Sequence, residues 1–273
     1  MTNSNSRFRI LIPCDYSEAC RQALDACANF DWKIPVEVFI LTVQDPMQPG
    51  SYGQSADRQL SEWLTAFPEG IQIQRLNAKG RFVNAVLEAL TRHGIDLVVA
   101  GTRGARGWDG VFVGSHAEKI VRVSPVPVLA IQQPPRIAGT RDIVVPIDLD
   151  HDPGELRGCL TKMRRLFSGR FHFLYVETNP ARDEQATIEL LTEYSRKLGI
   201  GHYENAVVNA DEVAAGILKY ATQIGAGMIA IGTMGNPGPA HMFRPSVAAD
   251  LVNHARIPVF TCPLRQREVP IPQ

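Results

Sequence analysis

The sequence predicts an α/β protein of two tandem doubly wound domains, each a five-stranded parallel sheet in the order 3-2-1-4-5 with helices on both faces. Three observations lead there. Short β-branched runs alternate with longer segments of helical spacing along the 273 residues. A glycine spacing follows the fourth run as Gly101-Thr-Arg-Gly104, nine residues, then Gly114-Ser115, and recurs as Gly232-Thr-Met-Gly235, nine residues, then Pro245-Ser246. Gly101, Gly104, Ser115 and Pro127 precede their counterparts Gly232, Gly235, Ser246 and Pro258 by 131 residues, while Pro13, Asp15 and Val43 precede Pro146, Asp148 and Val176 by 133. A period this long marks two domains, not a solenoid of short repeats.

In the first half the predicted strands lie near Phe8–Pro13, Val36–Val43, Ile71–Asn77, Leu97–Gly101 and Val126–Ile131. The segments Ser17–Asn29, Ala56–Phe67, Phe82–His93 and Ser115–Val123 have helical spacing between them. The second half repeats the order, with strands near Ile143–Pro146, Phe171–Val176, His202–Val208, Met228–Gly232 and Val259–Cys262. Gln132-Gln-Pro-Pro-Arg-Ile-Ala-Gly-Thr140 has the proline, glycine and polar content of a linker. A boundary near Ile137 gives domains 1–137 and 138–273. The last strands of the two halves are apolar and uncharged, so pairing them as an internal pseudo-dimer removes two exposed edges; a further homodimer of chains stays open.

With 45% hydrophobic and 21% charged residues the chain can bury two ordinary cores. Formal net charge is zero, so no global field recruits nucleic acid or an acidic membrane surface. Met1–Ser6 lacks the basic and apolar segments of a signal peptide, and no apolar run approaches the roughly 18 residues of a membrane span. Cys14, Cys20, Cys27, Cys159 and Cys262 form no C-x-x-C pair, and their odd number does not suggest a disulfide framework. A cytoplasmic, reduced protein is expected.

In a doubly wound sheet, ligands bind outside the carboxyl ends of the strands where strand order reverses. The glycine loop follows the fourth strand and Asp15 the first, so a 3-2-1-4-5 order brings both to one crevice. Glycines let backbone approach a phosphate and turn N–H groups toward it. Ser115 then opens a helix whose N-terminus favours negative charge. The same glycines would serve equally as turn formers, and Asp15 as a helix cap.

The run G-x2-G-x9-G-S, with Pro13-Cys-Asp15-Tyr-Ser17 after the first strand and Pro125-Val-Pro-Val before the last, resembles the universal stress protein family, and both halves share the likeness. The resemblance implies an adenine-nucleotide-binding stress regulator with an unidentified protein partner. It places Pro13, Cys14 and Asp15 near the adenine or ribose, Val43 beside the base, and Gly101, Arg103, Gly104, Gly114 and Ser115 around the phosphates. His116 could add charge there or face solvent. The ligand the resemblance implies is ATP, or ADP or AMP, accompanied by Mg²⁺. Gly80-Arg81 lies where the family places a small residue near the ribose, or forms a plain turn.

The second copy departs from the pattern. Pro245 replaces the glycine matching Gly114, which removes a donor and adds a ring. Ala210 stands opposite Gly80, and Pro237 and Pro239 stiffen the loop, while His241 and Arg244 leave a different anionic ligand open. One nucleotide per chain is expected. The G-x4-G-K-[ST] phosphate loop is absent, and no catalytic triad order or metal-ligand spacing stands out among the seven histidines. A regulatory binding protein fits better than an enzyme; a slow ATP hydrolase or nucleotide-dependent transferase, or a nucleotide-free scaffold, is the competing reading.

Overall fold

The computed structural model describes residues 7–44, 54–102, 116–133, 142–150, 152–179, 183–233 and 247–264. The first half runs β1 (Phe8–Cys14), α1 (Glu18–Asn29), β2 (Val36–Gln44), α2 (Gln54–Leu64), β3 (Gln72–Lys79), α3 (Phe82–His93), β4 (Leu97–Gly101), α4 (His116–Val123) and β5 (Val128–Ile131). The second half follows with β6 (Asp142–Pro146), α5 (Pro153–Leu166), β7 (Arg170–Glu177), α6 (Glu184–Leu198), β8 (Tyr203–Asn209), α7 (Val213–Gln223), β9 (Met228–Thr233), α8 (Val247–His254) and β10 (Val259–Pro263). The expected boundary near Ile137 lies outside the described residues.

All ten strands form one sheet in the order β3-β2-β1-β4-β5-β10-β9-β6-β7-β8. Each half therefore has the predicted 3-2-1-4-5 order, parallel throughout. The halves join through β5 and β10, which pair antiparallel with Val128 opposite Thr261, Leu129 opposite Phe260 and Ala130 opposite Val259. The internal pseudo-dimer expected from the apolar last strands is thus formed. Thr261 Oγ1 donates to the Val128 carbonyl at 3.1 Å, so the hydroxyl buried at this seam is satisfied.

The central strands are apolar on both faces, as helix-covered parallel strands must be: Ile10, Leu11, Ile12, Val98, Val99, Val144 and Val145 are fully or almost fully buried. One core layer lies under α1, α2, α5 and α6 and the other under α3, α4, α7 and α8, and each runs through both halves. In the first layer Phe30, Trp32 and Phe167 make three tilted ring pairs at 5.3–5.4 Å, two of which, those with Phe167, cross the junction of the halves. The Lys33 N–H donates to the Leu166 carbonyl at 3.1 Å beside them. The outer strands β3 and β8 carry polar side chains such as Gln72, Gln74, Lys79 and Glu204, which protects the two open edges.

The cysteines depart from expectation. Cys159 on α5 and Cys262 on β10 form a disulfide with Cα atoms 5.9 Å apart, 103 residues apart in sequence. Cys14, Cys20 and Cys27 are buried and free. Sequence spacing cannot reveal a pair that only the 3-2-1-4-5 order of the second half brings face to face.

Candidate functional site

Strand order reverses between β1 and β4, and the chain leaves both strands at the same end of the sheet. Ser17 caps α1 there, its hydroxyl accepting from the Cys20 N–H at 3.3 Å. The Asp15 carboxylate accepts from the Ser17 N–H at 3.0 Å and points across the crevice to His116 Nδ1 at 3.6 Å. Asp15 thus braces the start of α1 and is directed into the crevice.

His116 begins α4, the helix that follows the glycine loop. Its ring stacks on Phe82 at the start of α3, with centroids 4.0 Å apart and an interplanar angle of 23°. The structure places the His116 side chain half-buried between an aromatic ring and a carboxylate. Burial works to raise the Asp15 carboxyl, but hydrogen bonds from His116 and from the Ser17 side chain and backbone outweigh it, so it sits well below the usual carboxylate range.

Tyr16 has a φ of +61°, a left-handed conformation that is strained for a bulky residue. Its hydroxyl donates to Asp57 Oδ1 of α2 at 3.3 Å. Burial and the Asp57 carboxylate push the phenol up to about 12. Sequence reasoning singled out neither Tyr16, Phe82 nor Asp57. Tyr16 had a signal, since it stands between the aspartate and the capping serine after the first strand.

The remaining candidates divide. Pro13 and Cys14 lie within β1, opposite Leu41 and Thr42. The Cys20 thiol donates to Cys14 Sγ at 2.8 Å, so Cys14 faces the core rather than the crevice. That hydrogen bond holds the Cys14 thiol below its ordinary value and pushes Cys20 up. Val43 is buried in the opposite layer, under α3 and α4. A Cβ on Gly101 would lie 1.8 Å from the Ala19 carbonyl oxygen, so a glycine there is required by the approach of α1 to β4. Arg103, Gly104, Gly114 and Ser115 lie outside the described residues, as do Pro237, Pro239, His241, Arg244 and Pro245.

Gly80 and Ala210 prove equivalent in backbone terms: the Gly80 N–H donates to the Gln44 carbonyl and the Ala210 N–H to the Glu177 carbonyl, at 3.0 and 3.1 Å. Their surroundings differ. Gly80 has a φ of +119° and nothing within 4 Å of where a Cβ would stand. In the second half the Ala210 Cβ and the Val176 side chain press on Gly216 of α7, at 3.0 and 2.6 Å from the position of its absent Cβ.

A sequence profile described as the universal stress protein family matches residues 7–132 and 140–263. A universal stress protein of Methanocaldococcus jannaschii is 26% identical over 143 residues, covering 46% of this chain and 82% of that protein. Among solved structures, a universal stress protein from Archaeoglobus fulgidus superposes with a TM-score of 0.68 at 19% identity, over 93% of this chain and 98% of that one. One from Pseudomonas aeruginosa, described as a putative universal stress protein, gives 0.62 at 15% identity over 95% and 94% of the two chains.

Proposed function

Since the chain belongs to the universal stress protein family, we propose that it is a stress-response regulator that binds one adenine nucleotide, in the first half, and acts through conformation or a protein partner rather than through turnover. One observation carries this reading: Asp15 and His116, from opposite sides of the β1/β4 switch point, meet at 3.6 Å where a doubly wound sheet binds its ligands. A carboxylate kept ionised there can accept from ribose hydroxyls or an exocyclic amine. His116, on the first turn of α4, can turn toward an anion at the same helix end. Gly80 leaves no Cβ beside the end of β2, where its N–H meets the Gln44 carbonyl.

The glycine loop 101–115 supplies the phosphate end of this reading by its spacing. Among the described residues no three His, Cys, Asp or Glu side chains gather to hold a metal ion. Mg²⁺ would therefore arrive on the phosphates, where that ion commonly keeps several of its waters.

Calorimetry with ATP and with AMP tests the proposal. One site per chain is expected, and Asp15→Asn should weaken binding by about tenfold or more, the value of a hydrogen bond to a charged group. Gly114→Pro, which copies the second half into the first, should abolish binding in a folded protein. At about 100 times the dissociation constant the ligand adds roughly 2.7 kcal/mol of stability. Two equivalent sites, or unchanged affinity in a folded Asp15→Asn variant, would overturn the assignment.

A further inference from the structure

Six cationic side chains line one groove at the junction of the halves, in a chain whose net charge is zero. Lys33 comes from the turn between α1 and β2, Arg157, Arg164 and Arg165 from α5, and Arg196 and Lys197 from the end of α6. The groove is open and encloses about 760 Å³, within the range of small-ligand sites. Among the described residues, no carboxylate and no aromatic ring lines it.

Helix ends explain part of this charge. Arg164 and Arg165 close α5, and Arg196 and Lys197 close α6, where cations offset the negative end of the helix dipole. Two helix ends bring only about one negative charge between them, and Glu193, paired with Lys197 at 2.7 Å, brings one more. Glu193 also acts on Arg196, and among the described residues about four of the six cations are left without a compensating charge. Backbone contacts hold the rim: Lys33 Nζ donates to the Arg164 carbonyl at 3.3 Å, and Arg157 to the Lys197 carbonyl. The guanidinium groups of Arg164, Arg165 and Arg196 have no hydrogen-bond acceptor among the described residues.

We infer that this groove is a second anion site, for a compact polyphosphate: several linked phosphate groups recognised by guanidinium forks. Four arginines suit phosphate oxygens, which a guanidinium can bind in pairs. Single-stranded nucleic acid binds by stacking its bases on aromatic side chains, and among the described residues the groove offers none. The site is separate from the nucleotide crevice. Lys33 precedes β2, whereas Asp15 follows β1, and the register from Phe8 opposite Val36 to Cys14 opposite Thr42 puts about 20 Å of strand between them.

Inorganic tripolyphosphate, titrated calorimetrically into the full chain with saturating AMP present, is the probe. It should bind, and weaken by about tenfold or more as salt rises from 50 to 200 mM, as expected when several phosphates displace counterions. Arg164→Glu combined with Arg196→Glu should abolish that binding while the thermal shift caused by AMP is unchanged. The milder pair Arg164→Gln and Arg196→Gln should weaken it at least tenfold, and circular dichroism establishes that both variants are folded. No binding overturns the inference, and binding unaffected by either pair overturns it in favour of the glycine loop. A single-stranded oligothymidylate of equal charge that binds more tightly than tripolyphosphate would also overturn it, in favour of nucleic acid. Failure of AMP to bind bears on the crevice alone.

Discussion

At Asp15, burial and hydrogen bonding pull the carboxyl in opposite directions, and the hydrogen bonds from His116 and Ser17 prevail. A carboxyl lowered in the folded state stabilises the fold at pH values above its unfolded pKa of about 3.9, and that contribution is lost as pH falls toward the folded value. The melting temperatures of wild type and Asp15→Asn should therefore differ by a constant amount from pH 7 to about pH 5 and converge below about pH 4. A difference that persists undiminished to pH 2.5 would refute the account. The position of Asp15 was legible in the sequence, because a strand followed by Asp-Tyr-Ser announces a helix start. The ring stack of Phe82 on His116 was not, because 34 residues separate them and only the β4 crossover sets α3 beside α4.

At the scale of elements, the sequence located most boundaries. Phe82–His93 and Leu97–Gly101 coincide with α3 and β4, where apolar periodicity is unbroken. The strand expected from Val126 begins instead at Val128. Ser124 explains the delay, since its hydroxyl donates to the Val126 carbonyl at 2.7 Å and accepts from the Val126 N–H at 3.3 Å, closing a turn. Gly101 was read as a phosphate contact, and spacing cannot distinguish that from the helix approach the structure shows, because both forbid a Cβ. The packing role predicts that Gly101→Ala, which sets a methyl against the Ala19 carbonyl in the first turn of α1, costs about 3 kcal/mol of stability even with no nucleotide present. Chemical denaturation of the nucleotide-free protein measures this, and a loss below about 0.5 kcal/mol, as for an ordinary surface change, would return Gly101 to a purely ligand-facing role.

For the whole molecule, two core layers cross the β5/β10 seam without interruption, and the disulfide fastens α5 to the strand that forms that seam. The halves should unfold together, giving one calorimetric transition rather than two. Two separate transitions would mean independent beads. Cys159→Ser removes a closure of 103 residues, which the chain-entropy model values at about 4–5 kcal/mol, so the variant should melt at a clearly lower temperature while keeping a single transition. The seam was legible because uncharged last strands need cover; the disulfide was not, since nothing local marks Cys159 and Cys262 as partners. The antiparallel β5/β10 pairing also gives the protein two unlike rims. Each half is parallel within itself, so reversing direction at the seam turns the carboxyl ends of β1 and β4 to one rim and those of β6 and β9 to the other. A binding protein gripping the rim of the second half would leave the doorway at Asp15 clear, so ligand could come and go from the assembled complex.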